Sequence, residues 1–475
     1  MNAARALGAA LSLFVGIISP LFAQEPGSAP PAAPKTSSLV REVLPGGLRL
    51  LIEPRKSSSL TAMEIRVRVG SGRERPGENG LAHFVEHMVL KGSANHPSGG
   101  IDADMEKLGG EISARTTRES THFSTVVPAG QWKAALALFA EALLSPTFTD
   151  ADRATEARVI AAEMAVARTD PEKHGFSRLA SVAYDRTDPA HLPLMGSPDS
   201  VAAVTSPQLA AFHRKWYRPE NITIVLVGDI APEEARKFVG FLFRGGPRPP
   251  QTGTGEATVY APLGRIVRAT PVPPSEQKGR PLTTVLVAFR APSVRSDDSL
   301  PAFDTLMPIL ANGRLGRLTE RLVRKEGVAL SVAADFIPGH QVSLILFTLV
   351  TTPKRSAIAE RSLIEELRRL REDQLTEAET DRAVGVVLGR VAYGARSVAE
   401  RASWLASLDL AAPLLDPDTY VGRVSKMKVD ELNRLVETYL TTLSYAVAEI
   451  GPPPPPPDPE ESAASGVAPD GEAGR

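Results

Sequence analysis

The chain has 475 residues, with 54 Lys and Arg against 55 Asp and Glu, a formal net charge of -1 and no cysteine. The balanced charge, with no basic aromatic cluster, argues against a nucleic-acid surface. The missing thiols exclude disulfides, a lipidated cysteine and thiolate metal ligands, so any bound metal must be held by His and carboxylate.

Met1 to Ala23 carries Arg5 as a positive start, followed by an apolar run that is short for a membrane span and is broken by Gly16 and Pro20. It reads as a secretory signal cut after Ala23, which predicts an exported protein, periplasmic or extracellular. Leu21 is an imperfect residue at the minus-three position, so an uncleaved anchor is the alternative. Residues 24–38 are rich in Pro, Ala and Ser and read as a flexible leader, and residues 451–475 open on six prolines and read as a disordered tail. The stretch between them is too long for one compact core and fits two domains of about 200 residues each. The Gly, Pro and Thr of Arg244–Ala257 and the loose patch Pro271–Pro281 place a linker at 246–281, between domains at 39–245 and 282–450.

In the first half, LRLLIEP and AMEIRVRVGSG alternate apolar and polar residues as half-buried strands do, with Met63, Ile65, Val67 and Val69 on one face. The helix LAHFVEHMVLKG follows, from Leu81 to Gly92. At 3.6 residues per turn His83 and His87 share one helix face, so both imidazoles can reach one cation, and Glu86 lies beside that face. Two neutral imidazoles on a dication leave positions for water, whose proton a neighbouring carboxylate can take. The pattern is that of a hydrolase site; the competing reading is two surface histidines beside a solvated Glu.

Next come a short helix ending at Gly109 and Gly110, a strand pair through EISARTT and STHFSTVV, and helices at Gln131–Leu144 and Asp150–Arg168. Two histidines and water leave a tetrahedral ion one ligand short. In VIAAEMAVA, Glu163 stands among small apolar residues, as a charge turned into a core or cleft would, and reads as a buried, paired carboxylate; Glu156 lies two turns earlier on nearly the same face. A solvated helix face is an even alternative for Glu156. NITIVLVGD then reads as a strand and PEEARKFVGFLF as a closing helix, an α+β order and not a doubly wound parallel sheet.

The second half replays the first weakly. TTVLVAFRAP stands where a strand precedes the motif, and LPAFDTLMPIL stands where the motif helix does, with Ala302, Thr305 and Leu306 at the positions of His83, Glu86 and His87. The helix at Ala357–Asp373 reads as a solvated amphipathic face. The six other histidines, among them His96, His122 and His213, have no spacing partner and read as surface or satisfied core residues.

GLAHFVEHMVLKGS, MEKLGGEISARTT, VIAAEM and YRPENITIVLVGDI together resemble the M16 metallopeptidases, the insulinase, pitrilysin and mitochondrial processing peptidase family. The resemblance runs from Leu44 to about Gly451 and is strongest before Asp229. That family pairs the inverted HxxEH motif with a Glu about 75 residues on, and 75 residues lie between His87 and Glu163. The resemblance implies two related α/β-roll domains, layered antiparallel sheets with helices, of which only the first binds metal. It implies zinc on His83, His87 and Glu163, Glu86 as general base, and Glu156 orienting the site from behind the ligands. It implies cleavage of peptides or unfolded polypeptides by metal-activated water, with the strand Glu111–Thr116 binding extended substrate through Ser113 and Ala114. Ser113 stands where the family usually has Asn.

The chain departs from the family in the second half. Asn312–Val332 resembles the segment that supplies an Arg and a Tyr to the substrate carbonyl, yet Val323 stands at the Arg position and Leu330 at the Tyr position, with Arg324 one residue off. This predicts a heterodimer in which a homologous chain without HxxEH supplies the Arg and Tyr. The alternative is a catalytically silent structural or assembly subunit.

Overall fold

The structure is a computed structural model that describes residues 39–244, 261–272, 281–293 and 299–452, apart from 312, 340 and 414. The signal-like segment, the leader, much of the linker and the tail from residue 453 lie outside the described residues.

Two sheets organise the fold. The first has six strands: β1 (Val40–Val43), β2 (Arg49–Pro54), β3 (Leu60–Val67), β4 (Ser113–Thr116), β5 (Thr121–Pro128) and β6 (Ile222–Gly228), in the order β1-β2-β6-β3-β5-β4. The second has five: β7 (Val267–Arg268), β8 (Thr283–Pro292), β9 (Ser331–Ile337), β10 (Val342–Thr351) and β11 (Ala446–Ile450), in the order β7-β11-β8-β10-β9. In each sheet one pair is parallel, β2 with β6 and β7 with β11, and the remaining pairs are antiparallel. Apart from β1, the sheets therefore match strand for strand. The two-residue β7 lies inside the stretch read as linker, where it stands as the counterpart of β2.

The helices are α1 (Leu81–Lys91), α2 (Gly100–Lys107), α3 (Trp132–Leu144), α4 (Asp150–Thr169), α5 (Pro171–Ala183), α6 (Pro198–Ala203), α7 (Ser206–Trp216) and α8 (Pro232–Leu242) in the first half of the chain. The second half contributes α9 (Leu300–Leu310), α10 (Ser356–Arg369), α11 (Glu377–Gly394), α12 (Val398–Ala411), α13 (Pro417–Ser425) and α14 (Val429–Tyr439). Helix α10 ends four residues before the expected Asp373. Thr319–Lys325 winds as a π-helix, a form uncommon outside functional or strained segments.

Each half lends a helix to the other. Phe176, Leu179, Ala180 and Ala183 of α5 pack with Leu286, Ala288, Leu344, Leu346, Ala446 and Ala448 of the second sheet. Reciprocally, Ala402, Leu405 and Ala406 of α12 cover Leu51, Ala62, Val225 and Val227 of the first. The break that sends α5 across is local: Asp170 ends α4, accepts from the backbone N–H of Glu172 and Lys173, and is followed by Pro171 at the first helical position.

Charge also crosses the halves. Asp409, 2% exposed on α12, accepts from Arg49 Nε at 3.0 Å, Arg68 at 2.7 Å and the Thr223 hydroxyl at 3.0 Å. Burial works against its charge, but the arginines hold its carboxyl below the usual range. Arg401, also on α12, donates to Glu53 of β2 at 2.7 Å, and both are buried.

Candidate metal and catalytic site

Helix α1 is buried on nearly every side. Leu81, Phe84, Val85, Met88 and Val89 enter the first core and fix its roll, which turns His83, Glu86 and His87 toward α4 and β4. Its N-terminus is tied from outside: Glu74 accepts from the backbone N–H of Gly80 at 3.0 Å and Ala82 at 2.8 Å. Burial nonetheless carries the Glu74 carboxyl up to about 8. Gly80 has φ +93°, and a Cβ there would lie 2.7 Å from the Met195 carbonyl, so only glycine opens this helix cleanly.

His83, His87 and Glu163 converge. One ligand atom from each falls within 4.8 Å of the other two. Glu163 Oε2 lies 3.7 Å from His83 Nε2 and 3.4 Å from His87 Nε2. The Glu163 side chain is 43% exposed, which corrects the expected burial: it is turned to a cleft and not into the core. These separations are long for hydrogen bonds but near the ~3.4 Å edge of a tetrahedron with ~2.1 Å metal bonds. The donor set, two imidazoles and a carboxylate, fits zinc with one position open to water. His83 Nδ1 is buried without a hydrogen-bond partner among the described residues.

Behind this cluster, His87 Nδ1 lies 2.9 Å from Glu156 Oε2, and the other oxygen of Glu156 lies 2.6 Å from Lys91 Nζ. Lys91 is one turn beyond His87 on α1. Burial opposes a charge on His87, but Glu156, Glu163 and Glu86 outweigh it and raise that imidazole to about 10. Burial, reinforced by His87, depresses His83 well below the usual histidine range. Burial likewise raises Glu86, against His87 and Thr116.

Thr116 on β4 donates to Glu86 Oε2 at 2.5 Å, a contact the sequence reading missed. Strand alternation was the available signal: Thr116 shares a face with Ala114, and Ser113 and Arg115 point the other way. The register agrees, pairing Ser113 with Ser124 and Ser124 with Glu64, away from the face of Phe123 and Ile65 that packs on α1. Ser113 and Ala114 thus lie on the same edge strand with side chains on opposite faces. The free edge of β4 ends the sheet directly beside α1.

The second half holds no such cluster at the matching helix. Ala302, Thr305 and Leu306 on α9 are buried, and the Thr305 hydroxyl donates to the Pro301 carbonyl. Val323 packs against the second core, Arg324 pairs with Glu320 at 2.9 Å, and Leu330 is 59% exposed. His96, outside the His83, His87 and Glu163 cluster, lies 2.9 Å from Glu141 and 3.1 Å from Asp104, and His213 lies 2.9 Å from the Leu143 carbonyl.

Paired rolls of this topology, with an HxxEH helix against one sheet edge, define a class of peptidase-like proteins, and comparison with known proteins gives the family. Residues 49–197 match the family model described as insulinase (peptidase family M16), and residues 203–386 match the peptidase M16 inactive domain. The chain belongs to peptidase family M16. It is 27% identical over 439 residues to an uncharacterized zinc protease of Mycobacterium leprae, covering 90% of this chain and 94% of that one. It is 25% identical over 343 residues to the zinc protease PqqE of Helicobacter pylori, covering 71% and 76%. Among solved structures, a protease from Helicobacter pylori superposes with a TM-score of 0.77 at 22% identity, over 87% of this chain and 99% of that one. The periplasmic protease PqqL from Escherichia coli superposes with a TM-score of 0.69 at 20% identity, over 93% of this chain and 50% of that one.

Proposed function

We propose that the protein is a zinc-dependent endopeptidase that hydrolyses peptides or unfolded polypeptides, with His83, His87 and Glu163 holding the zinc. The observation that carries this reading is the convergence of those three side chains beside Glu86 and a free sheet edge. Zinc held there supplies Lewis acidity, which polarises a peptide carbonyl and makes water a nucleophile near neutral pH. Glu86 takes the proton of the attacking water and passes it to the leaving amine, and Thr116 keeps the carboxylate aimed. Glu156 accepts from His87 Nδ1, which leaves Nε2 as the donor atom facing Glu163, and Lys91 holds Glu156 in place. The edge of β4 at Ser113 and Ala114 receives an extended peptide by backbone pairing.

The second half offers no donor to a substrate carbonyl at Val323 or Leu330. We therefore assign this chain the catalytic role in a heterodimer whose other chain, a relative without HxxEH, contributes the Arg and Tyr. The same gap is what favours the second reading, a structural subunit without activity. The apolar segment before Ala23 supports export to the periplasm or beyond, and among the described residues no helix is long and apolar enough to cross a membrane. Cleavage of an unstructured peptide, measured before and after chelation and after zinc is restored, tests the reading with Glu86→Gln as control. Chelator-sensitive turnover absent from the variant is expected; turnover that survives in Glu86→Gln would overturn the assignment.

A further inference from the structure

Tyr217 follows Trp216 at the end of α7 and opens YRPENITIVLVGDI, a stretch of which the proposed hydrolysis uses nothing. Its side chain is set in the first core, 4% exposed. The ring stacks on His213 with centroids 4.8 Å apart and meets Phe123 edge-on at 6.5 Å. A phenylalanine would satisfy all of this. The Tyr217 hydroxyl is nonetheless buried without a hydrogen-bond partner among the described residues. Burying an unpaired hydroxyl costs stability, so a phenol in this apolar, aromatic setting calls for a reason outside packing.

The surroundings of the hydroxyl supply one. Burial pushes the phenol far above its ordinary range; Thr121 opposes the shift, and Glu86 is the charge that adds to it. Thr121 is its hydroxyl neighbour, although the pair falls short of ordinary hydrogen-bond geometry. From Thr121 the path to Glu86 is short. Thr121 faces Thr116 across the β4 and β5 pair with 3.5 Å between the hydroxyl oxygens, and Thr116 donates to Glu86 Oε2 at 2.5 Å. The proton of Thr121 goes elsewhere, to the Val69 carbonyl at 2.8 Å. Thr116 therefore has one proton and two candidate acceptors, Glu86 and Thr121. A Tyr217 proton turned onto Thr121 occupies that oxygen and leaves the Thr116 proton to Glu86.

We infer that Tyr217 is a positioning residue for Glu86, holding the row of hydroxyls Tyr217, Thr121 and Thr116 in the donor order that ends on the carboxylate. The inference rests on the peptidase reading, in which Glu86 takes the proton of water, and it gives a core residue remote in sequence a part in aiming that carboxylate. Hydrogen bonds at catalytic groups are often long before substrate arrives and tighten with it, and β4, which carries Thr116, is the strand on which substrate is proposed to pair. The effect belongs to turnover and not to peptide affinity.

Tyr217→Phe keeps the ring and removes only the hydroxyl. In the full chain, with any subunit that co-purifies, kcat for an unstructured peptide is expected to fall about tenfold, with KM and zinc per chain unchanged and the melting temperature unchanged or higher. A residue with only a packing role would leave kcat where it was. The contact is read without any cleavage by a double-mutant cycle over Tyr217→Phe and Glu86→Gln in urea unfolding. The two changes are expected to depart from additivity by about fivefold in the unfolding equilibrium. An additive cycle, an unchanged kcat, or a fall in kcat that follows lost zinc or a lower melting temperature would overturn the role. The two ideas fail separately. Turnover with an additive cycle leaves the peptidase reading standing and removes Tyr217 from it, whereas a coupled cycle in a chain that cuts nothing keeps the contact and removes the reading.

Discussion

Glu86 neighbours His87 on α1 and Glu156 meets the same imidazole from α4, yet their positions assign them different work. Glu86 is on α1 itself and bonded to the edge strand β4 through Thr116, so its loss should strike chemistry. Glu86→Gln is expected to lower kcat by about 10²–10⁴ while leaving metal content intact, a split read by kinetics beside metal analysis. Glu156 meets His87 at the nitrogen turned away from Glu163 and is itself held by Lys91. Glu156→Gln is expected to weaken zinc binding about 10- to 100-fold, seen by competition with a chromogenic chelator, with most activity recovered in excess zinc. A third carboxylate gives a pH signature far from the site. Glu379 is held down to about 2, first by its hydrogen bonds from Arg317 at 2.7 and 2.8 Å. Its folded value is depressed, so its contribution is fully present above about 4.5 and is lost as pH falls through about 2. Screening near the surface keeps this to about 1 kcal/mol, measurable as a shallower acid-side slope of stability in Glu379→Gln.

At the scale of elements, sequence periodicity was sufficient for what is local and silent about what is not. The motif helix, α3 and α4 appear within a residue or two of their expected bounds, because caps such as Thr149 and apolar spacing are written in neighbouring residues. The convergence of His83, His87 and Glu163 was legible in part for the same reason: a helix places the two histidines together, and the resemblance to the family, with its matching spacing, pointed to Glu163. Nothing local states that α5 and α12 cross to the opposite sheets, since an amphipathic helix declares a buried face and not its partner. Nor does a pair as remote as Arg49 and Asp409 leave a periodic trace. The two-residue β7 is too short to alternate at all, which is why it lay hidden in the linker. The buried Asp409 cluster gives the exchange an energetic test. Asp409→Ala strands Arg49 and Arg68 against α12 and is expected to cost about 3–5 kcal/mol in urea unfolding.

For the whole molecule, helix exchange means that neither half is closed without the other. Without α12, the first sheet would present Leu51, Ala62, Val225 and Val227 to water; without α5, the second would present Leu286, Ala288, Leu344 and Leu346. Residues 39–244 expressed alone are expected to be aggregated or dye-binding, and co-expression with the remainder is expected to restore a soluble complex. Duplicated topology with one His and carboxylate cluster among the described residues gives the halves unequal tasks under the proposed function: the first would hold metal and proton acceptor, and the second completes a sheet and walls a cavity beside β4. All of this turns on whether three side chains from α1 and α4 bind one ion. The most direct measurement is zinc per chain by plasma mass spectrometry on the intact protein and on Glu163→Ala and Glu86→Gln, after equal dialysis. The account predicts one zinc in the intact protein and in Glu86→Gln and well under one in Glu163→Ala; no zinc in the intact protein, or equal zinc in all three, would contradict it.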